Sequence, residues 1–431
     1  MKKLTRRNFF KAAAAAGGAL SLFGATGCAR WTGASRPRVV VVGGGFGGAT
    51  CAKYLRRFDA DVDVTLVEPA ERYVTCPGSN WVLGGMRRMD DITHNYASLR
   101  DSHGVTVVHD WVTGIDPEAR TVSLKSGKRL EYDRLVVSPG IDFRWDAVEG
   151  YDETASQTLP HAWKAGKQTV LLRDQLQAMP DGGTFIMVAP QNPFRCPPGP
   201  YERASMVAHY FKNNKPKSKI LILDSKDKFS KQGLFVDGWK RLYPGMIEWV
   251  PGSQGGIVNR VDAGTMSVVT EEGFTTHKGD VINFIPPQQA GRIAHQAGLV
   301  NEDGWCPVDQ RTFESRMHPQ VHVIGDASVA GAMPKSGHSA NNQGKMCAAA
   351  IVAALRELDL PSPSHVNTCY SLVGPEYGIS VAAVYRLEKD AIAGVEGAGG
   401  VSPPDADESF REQEAVYAQG WYASIVQDTF A

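Results

Sequence analysis

An apolar strand that runs directly into a glycine-rich turn constrains the fold of this chain more than any other stretch. Residues 39–42 form an unbroken run of valines, which is typical of a strand buried on both faces of a parallel sheet. The glycines that follow, Gly43, Gly45 and Gly48, fit the pattern G-x-G-x-x-G. In that pattern the first glycine permits a tight turn, the second lets backbone approach a pyrophosphate, and the third allows a helix to pack closely on the strand.

The residues after this turn supply the context that the glycine pattern needs. A helix that begins near Gly47 would direct its free amide donors and the positive end of its dipole at a pyrophosphate. Residues 62–67 predict a second strand, which ends at Glu68, twenty residues past Gly48. A carboxylate that binds a ribose hydroxyl is expected at that spacing. Strand, glycines, helix and acid together predict an adenine dinucleotide site.

Length, charge and cysteine spacing exclude several classes of function. A chain of 431 residues corresponds to about two or three domains. Its 46 basic and 46 acidic residues balance, so we predict no nucleic-acid partner and no electrostatic attachment to a membrane. No apolar run is long enough to span a bilayer, so we predict no transmembrane segment in the mature chain. No two of the seven cysteines are separated by two residues, and we therefore predict no metal site.

Residues 1–30 are predicted to be an export signal rather than part of the fold. Residues 5–11 read TRRNFFK, a twin-arginine pattern, and a short, weakly apolar stretch follows at 12–25. Twin-arginine export carries folded proteins that already hold their cofactors. We therefore expect a periplasmic protein exported by the twin-arginine route. Lipid attachment at Cys28 is an alternative that the sequence leaves open.

A second α/β domain follows, with buried strands predicted at 184–189 and 219–223. A flavin reductase that uses a nicotinamide would carry a second glycine fingerprint after the first of these strands. Residues 190–200 instead read PQNPFRCPPGP, and prolines stiffen the turn and lack the N–H donor that a pyrophosphate needs. The sequence therefore predicts that this domain does not bind a nicotinamide and presents Cys196 instead.

The chain then returns to the first domain. The strand predicted at 321–326 ends in Gly325 and Asp326, the usual place for an aspartate that meets the ribityl chain of FAD. We predict an α/β protein with two Rossmann-like dinucleotide-binding-type domains, as in disulfide-reductase-like flavoproteins, and a small C-terminal capping domain that contains a glycine- and proline-rich loop at 394–404. The predicted boundaries are 1–30 for the signal peptide, 36–148 and 288–360 for the FAD-binding domain, 149–287 for the second Rossmann-like domain, and 361–431 for the capping or interface domain.

Two cysteines that follow turn-rich segments, Cys196 and Cys369, are far apart in the sequence. If both covered a flavin ring, a disulfide between them could pass two electrons to it. Spacing alone leaves two alternatives open, namely unrelated buried thiols and a structural disulfide.

The assembled motifs resemble the flavoprotein subunit family of flavocytochrome c sulfide dehydrogenase. The resemblance extends from about residue 38 to the C-terminus, and its proline-rich cysteine segment and cysteine spacing are more specific than the glycines. The segments that carry it are VVVVGGGFGGAT, YVTCPGSN, YDRLVVSPG, FRCPPGPYERAS, VHVIGDAS, MPKSGHSANNQGK and NTCYS.

The resemblance implies roles for particular residues. Cys76 corresponds to the cysteine that is joined covalently to the 8α methyl group of FAD. Cys196 and Cys369 correspond to a redox-active disulfide, with Cys369 nearer the flavin. Glu202 corresponds to a carboxylate near that pair that could act as general base, although an acid stabilised by the N-terminus of a helix remains an alternative. His161 and Lys335 are further polar candidates near the flavin, each favoured as structural or solvated, and Trp421 could equally form a wall of the sulfide pocket or be a core aromatic.

The function implied is oxidation of sulfide to sulfur or polysulfide in the periplasm. Electrons would pass through FAD to a c-type cytochrome subunit in a heterodimer, because this chain has no C-x-x-C-H for its own haem. A sulfide:quinone oxidoreductase is an alternative, but residues 410–416 contain three charged residues where an amphipathic membrane anchor would be expected. A non-catalytic electron-transfer partner that keeps flavin is a second alternative, against which Cys196, Cys369 and Glu202 argue.

Overall fold

The chain is organised around two parallel sheets and one antiparallel sheet. The structure is a computed structural model that describes residues 36–270 and 273–431. The twin-arginine segment and Cys28 lie outside the described residues. In chain order the strands are β1 (Arg38–Val42), β2 (Asp63–Val67), β3 (Arg72–Val74), β4 (Thr93–Asn95), β5 (Thr106–Val108), β6 (Val112–Asp116), β7 (Thr121–Leu124), β8 (Arg129–Glu131), β9 (Arg134–Val137), β10 (Ile141–Phe143), β11 (Thr184–Ala189), β12 (Lys219–Asp224), β13 (Ile247–Val250), β14 (Val258–Asp262), β15 (Ser267–Thr270), β16 (Thr275–Lys278), β17 (Val281–Phe284), β18 (Gln288–Ala290), β19 (Cys306–Pro307), β20 (Val321–Val323), β21 (Ser328–Val329), β22 (Ser364–Gly374), β23 (Tyr377–Glu388) and β24 (Ala391–Val401).

The helices are interspersed among these strands. In chain order they are α1 (Phe46–Phe58), α2 (Ser79–Leu83), α3 (Ala97–Asp101), α4 (Lys167–Ala178), α5 (Gly199–Asn214), α6 (Gln232–Leu242), α7 (Arg292–Gln296), α8 (Gly337–Arg356) and α9 (Glu408–Phe430).

The first sheet is parallel and has the order β20-β9-β1-β2-β5. The valine run lies at its centre and is buried, as expected for a strand covered on both faces. Strand β20 joins this sheet from far along the chain, so residues around 321 complete the domain that β1 begins. The α/β class predicted from the sequence is confirmed.

The second sheet is also parallel, with the order β13-β12-β11-β17. The proline-rich turn leaves the end of β11 and runs into α5, at the place where a dinucleotide fingerprint would lie in a Rossmann domain. A short antiparallel pair, β10 with β18, joins the segments through which the chain leaves and re-enters the first domain.

The C-terminal segment forms the antiparallel sheet β22-β23-β24, covered by α9. The loop predicted at 394–404 is wrong over most of its length, because residues 394–401 belong to β24, which pairs with β23 on both sides of a register shift near Tyr385. Glycine permits this close approach: a Cβ on Gly399 would lie 2.4 Å from the carbonyl oxygen of Ala382. Gly399 therefore marks tight strand pairing here rather than a turn.

The charged residues of the C-terminal helix do not interrupt it. Arg411 and Glu414 are buried and form an ion pair of 3.2 Å one turn apart on α9, and Glu414 also accepts hydrogen bonds of 2.6 Å from the hydroxyls of Ser380 and Ser402. These buried charged residues thus hold α9 against the antiparallel sheet that it covers. Within the described ranges, no helix is both long and apolar enough to cross a membrane.

Candidate active site

A cleft opens at the carboxyl ends of β1, β9 and β20, where ligands bind in doubly wound sheets. Of the seven residues predicted to hold the cofactor, four line this cleft: Gly45, Cys76, Gly325 and Asp326. The other three lie behind or beside it.

The glycine turn is built as the fingerprint requires. Gly43 has φ +97°, and a Cβ there would lie 2.3 Å from the carbonyl oxygen of Ser138. A Cβ on Gly48 would lie 1.9 Å from the carbonyl oxygen of Gly43, so helix α1 can pack against the turn only because glycine stands there. Gly45 precedes the first residue of α1, and the free N–H groups of that helix end face the cleft lining. A pyrophosphate fits this cradle.

Glu68 lies at the end of β2, beside the glycine turn. One carboxylate oxygen accepts a hydrogen bond of 2.8 Å from the backbone N–H of Gly44, and the other accepts one of 3.0 Å from that of Ala70. Each oxygen keeps a lone pair free, so the carboxylate is oriented by backbone and can still accept from a ribose hydroxyl.

Asp326 has one oxygen paired and one oxygen free. Its Oδ2 forms an ion pair of 2.7 Å with Nε of Arg195, while Oδ1 is buried without a hydrogen-bond partner among the described residues. A buried carboxylate oxygen that lacks a donor is costly. The hydroxyls of a ribityl chain in the cleft would supply that donor, so the residues present fit FAD.

Cys76 presents its sulfur at the same end of the cleft. Its Sγ lies 3.3 Å from Nη1 of Arg195 and 3.5 Å from the carbonyl oxygen of Trp163. Arg195 therefore contacts both Asp326 and Cys76, two of the predicted cofactor residues. The only sequence signal for Arg195 was its position immediately before Cys196.

Cys196 and Cys369 come from different parts of the fold. Cys196 has φ +58° on the turn that opens α5, and its backbone N–H donates to the carbonyl oxygen of Lys335 at 2.7 Å. Cys369 lies on β22, and its Sγ accepts a hydrogen bond of 3.4 Å from Nδ2 of Asn367.

The two thiols are close enough to affect each other's ionisation. Burial raises the pKa of Cys196, and the neighbouring charges of Cys369 and Glu202 raise it further. Burial also raises the pKa of Cys369. Both are free cysteines in the structure, and a bond between them stays a prediction.

Glu202 lies in the first turn of α5 and joins three elements. Its Oε1 accepts hydrogen bonds of 3.0 Å from Nε1 of Trp81 and from the backbone N–H of Leu372, and its Oε2 accepts one of 2.9 Å from Nδ2 of Asn80. Leu372 is three residues beyond Cys369 on β22, so Glu202 fixes that strand against α2 and α5. The structure thus places Glu202 beside both cysteines, and both of its predicted roles stay open.

Two buried cations near the cysteines were missed by sequence reasoning. Lys231 and Arg203 are 7% and 2% exposed; burial lowers the pKa of Lys231 to about 8 and that of Arg203 to about 10. Arg203 donates to the side-chain oxygens of Asn80 and Asn283 at 3.0 and 2.9 Å. Lys231 stands in no quoted motif, and Arg203 lies in FRCPPGPYERAS without a role assigned to it, because long-range packing rather than local spacing brings each one to its partners.

The three additional candidates have structural partners. His161 is buried, and its Nδ1 accepts a hydrogen bond of 2.9 Å from the backbone N–H of Trp163; burial lowers its pKa to about 3. Lys335 donates to the carbonyl oxygens of Asp326 and Ser328 at 2.8 and 3.0 Å. Trp421 packs near His338, with ring centroids 6.1 Å apart.

Comparisons with known proteins agree with this geometry. The pyridine nucleotide-disulphide oxidoreductase family matches residues 37–169, which places the chain in the class of two-domain flavin and disulfide oxidoreductases. The central domain of the flavoprotein chain of flavocytochrome c sulfide dehydrogenase matches residues 169–286, and the flavin-binding domain of the same protein matches residues 361–430.

Individual relatives lead to the same family. The flavoprotein chain of sulfide dehydrogenase (flavocytochrome c) from Chlorobaculum thiosulfatiphilum is 69% identical over 45 residues, which are 10% of this chain and 94% of that sequence. The chain therefore belongs to the flavoprotein-chain family of flavocytochrome c sulfide dehydrogenase.

More distant relatives share the fold. Mitochondrial sulfide:quinone oxidoreductase from Dictyostelium discoideum is 25% identical over 304 residues, and the match covers 68% of this chain and 65% of that protein's length. The solved structure of sulfide:quinone oxidoreductase from Aquifex aeolicus superposes with a TM-score of 0.71 at 19% identity, covering 91% of this chain and 92% of that one.

Proposed function

We propose that this protein is the flavoprotein of a sulfide dehydrogenase, which oxidises sulfide through a Cys196–Cys369 disulfide and FAD held covalently by Cys76. The observation that supports the proposal is that a turn, a strand and a helix bring Cys196, Cys369 and Glu202 near enough for Cys369 and Glu202 to raise the pKa of Cys196. Membership of the flavocytochrome c family supports sulfide as the substrate.

Atoms, electrons and protons balance when sulfide reacts with a Cys196–Cys369 disulfide. Hydrosulfide attacks the sulfur of Cys196, the disulfide breaks, and the bonding electron pair leaves on Cys369, so that Cys196 carries a persulfide and Cys369 is a thiolate. Loss of two electrons and one proton from this pair re-forms the disulfide and releases one sulfur atom, free or added to a polysulfide. FAD held in the cleft would supply a two-electron acceptor for that pair.

We further propose that the electrons leave to a c-type cytochrome subunit in the periplasm. The flavocytochrome name of the family supports the cytochrome partner, and residues 5–11 support export by the twin-arginine route. Quinone is the second candidate acceptor, favoured by the likeness to sulfide:quinone oxidoreductases.

An assay of the purified native protein tests this function. We expect sulfide to reduce cytochrome c rapidly and a soluble quinone analogue slowly, and we expect a haem-containing chain to co-purify. NADH should not bleach the flavin, because a proline-rich turn follows β11. Fast quinone reduction with no cytochrome reduction would favour the second acceptor, and absence of sulfide-dependent reduction of either would refute the proposed activity.

The variant Glu202→Gln should lose both stability and activity. The new amide oxygen can still accept from Trp81 and Leu372, but its NH₂ group then faces Nδ2 of Asn80. Asn80 cannot rotate to compensate, because its Oδ1 accepts from Nε of Arg203. An opposed buried donor costs about 1–3 kcal/mol, which a lower denaturation midpoint would report.

The pH dependence separates the two roles of Glu202. If its carboxylate is a general base, Glu202→Gln changes the shape of the pH–rate profile of sulfide oxidation. If it only fixes β22, the rate falls at all pH values and the profile keeps its shape. Glu408→Gln, an exposed first-turn acid of α9, is the matched control and should change neither property.

A further inference from the structure

Lys231 is a buried lysine beside the cysteine pair. Its Nζ donates to the carbonyl oxygen of Cys369 at 3.1 Å, to the hydroxyl of Ser371 at 2.9 Å and to the carbonyl oxygen of Ile379 at 3.5 Å. All of these oxygens are uncharged. The ammonium group thus bridges β22 and β23 at the level of Cys369, but its hydrogen bonds leave its charge without a paired anion.

Three features make Lys231 energetically unfavourable at this position. Burial penalises its charge. Its backbone has φ +61°, a conformation that a residue with a long side chain rarely adopts. It also immediately precedes α6, and the N-terminal end of a helix disfavours a cation. Strain and an unfavourable charge together at one buried position indicate a functional role.

The charged and titratable groups around Lys231 identify that role. Cys369, Glu202, Cys196 and Glu414 face it, in decreasing order of electrostatic effect. Glu414 is already paired with Arg411 and two serine hydroxyls, and Glu202 accepts three hydrogen bonds from neutral donors. Cys369 is therefore the group whose ionisation Lys231 affects most directly. Cys369 is also near Tyr385 and receives polar contacts from Asn367 and Ser336.

We propose that Lys231 is a positioning residue whose ammonium group stabilises the Cys369 thiolate that forms when the Cys196–Cys369 disulfide opens. The inference rests on the proposed function, since it assigns a charge to one product of the sulfide attack. Before the attack, the positive charge of Lys231 is opposed only by carboxylates that have other partners. After it, a new negative charge appears on Cys369, whose carbonyl oxygen Nζ already contacts, and the leaving sulfur is stabilised.

The test measures ionisation of Cys369 directly. In a Cys196→Ser parent, Cys369 is the remaining thiol of the pair, and its alkylation by iodoacetamide can be followed by peptide mass spectrometry from about pH 6 to 11. Adding Lys231→Gln keeps a donor for the carbonyl oxygens of β22 and β23 but removes the charge. We expect the alkylation midpoint to rise by about one pH unit or more, equivalent to about tenfold less thiolate at a given pH.

Two variants serve as controls, and circular dichroism verifies their folding. Lys231→Arg keeps the charge and should leave the midpoint near that of the parent. Lys335→Met removes a different buried lysine, whose hydrogen bonds go to Asp326 and Ser328 rather than to Cys369, and it should also leave the midpoint unchanged. A purely structural Lys231 would lower the melting temperature in the Gln variant without moving the midpoint.

The outcomes separate this inference from the proposed function. An equal midpoint in the parent and in folded Lys231→Gln overturns the inference, as does an equal shift in Lys335→Met. Because the assay contains no sulfide, it responds even if the protein does not oxidise sulfide. A shifted midpoint in a protein without sulfide-dependent cytochrome or quinone reduction would refute the proposed function while the Lys231–Cys369 charge pairing stands.

Discussion

Replacing either Cys196 or Cys369 by serine is expected to abolish sulfide oxidation while FAD stays bound. Sulfide can be oxidised at this pair only if one sulfur accepts the incoming atom and the other leaves as a thiolate, so each single substitution removes the reaction rather than slowing it. We expect sulfide-dependent cytochrome c reduction to fall about a thousandfold or more, with the flavin absorbance per protein unchanged. Near-normal turnover in either variant would remove the disulfide from the mechanism.

Cys306→Ala is the matched control for these two variants. Cys306 is also buried and free, and burial raises its pKa to about 12. We expect this variant to oxidise sulfide at the rate of the unmodified protein. A comparable loss of activity in Cys306→Ala would show that the assay reports general destabilisation.

The colours of the two serine variants should differ. The prediction that Cys369 is nearer the flavin implies that Cys196→Ser, which keeps the Cys369 thiolate, shows a long-wavelength charge-transfer band and that Cys369→Ser does not. Neither cysteine lines the cleft: Cys196 follows the lining residue Arg195 in the chain, and Cys369 has as a polar neighbour Ser336, which precedes the lining residue Gly337. A band in Cys369→Ser alone would reverse the two roles.

The parts of the fold that local sequence encodes were predictable. The valine run, the glycines and Glu68 are close in the chain, and each constrains the backbone directly: Gly43 needs its positive φ, and Gly48 leaves no room for a Cβ. Strand β20 was predictable for the same reason, although it ends at Val323 and the predicted Gly325 and Asp326 lie in the short 3-10 turn that follows it. These elements define the first sheet and the cleft.

The parts that depend on long-range packing were not predictable. Lys231 reaches Cys369 across 138 positions of sequence, and Arg203 reaches His161 and Asn283, so no spacing rule finds them. Glycines in 394–404 predicted a loop because glycine favours turns. In the structure most of this stretch belongs to β24, and Gly399 permits a close approach to Ala382 that appears only when β23 lies alongside.

Replacing Cys76 by alanine is expected to convert a flavin that cannot dissociate into one that can. The thiol lies in the cleft with Nη1 of Arg195 at 3.3 Å, and the resemblance assigns it a covalent bond to FAD. When the unmodified protein is denatured and precipitated, we expect essentially all of the yellow colour in the pellet. The same treatment of Cys76→Ala should leave it in the supernatant.

The native Cys76→Ala variant should still bind FAD, and this separates a covalent role from a structural one. The glycine cradle, the carboxylate of Glu68 and the free oxygen of Asp326 do not depend on the sulfur, so they hold the cofactor until the protein unfolds. Dialysis should then remove FAD slowly from the variant and not at all from Cys306→Ala, the cysteine control. Flavin found wholly in the supernatant of the denatured unmodified protein would contradict the covalent bond. Cys76 is the residue that the bond is assigned to, because no other described cysteine lines the cleft.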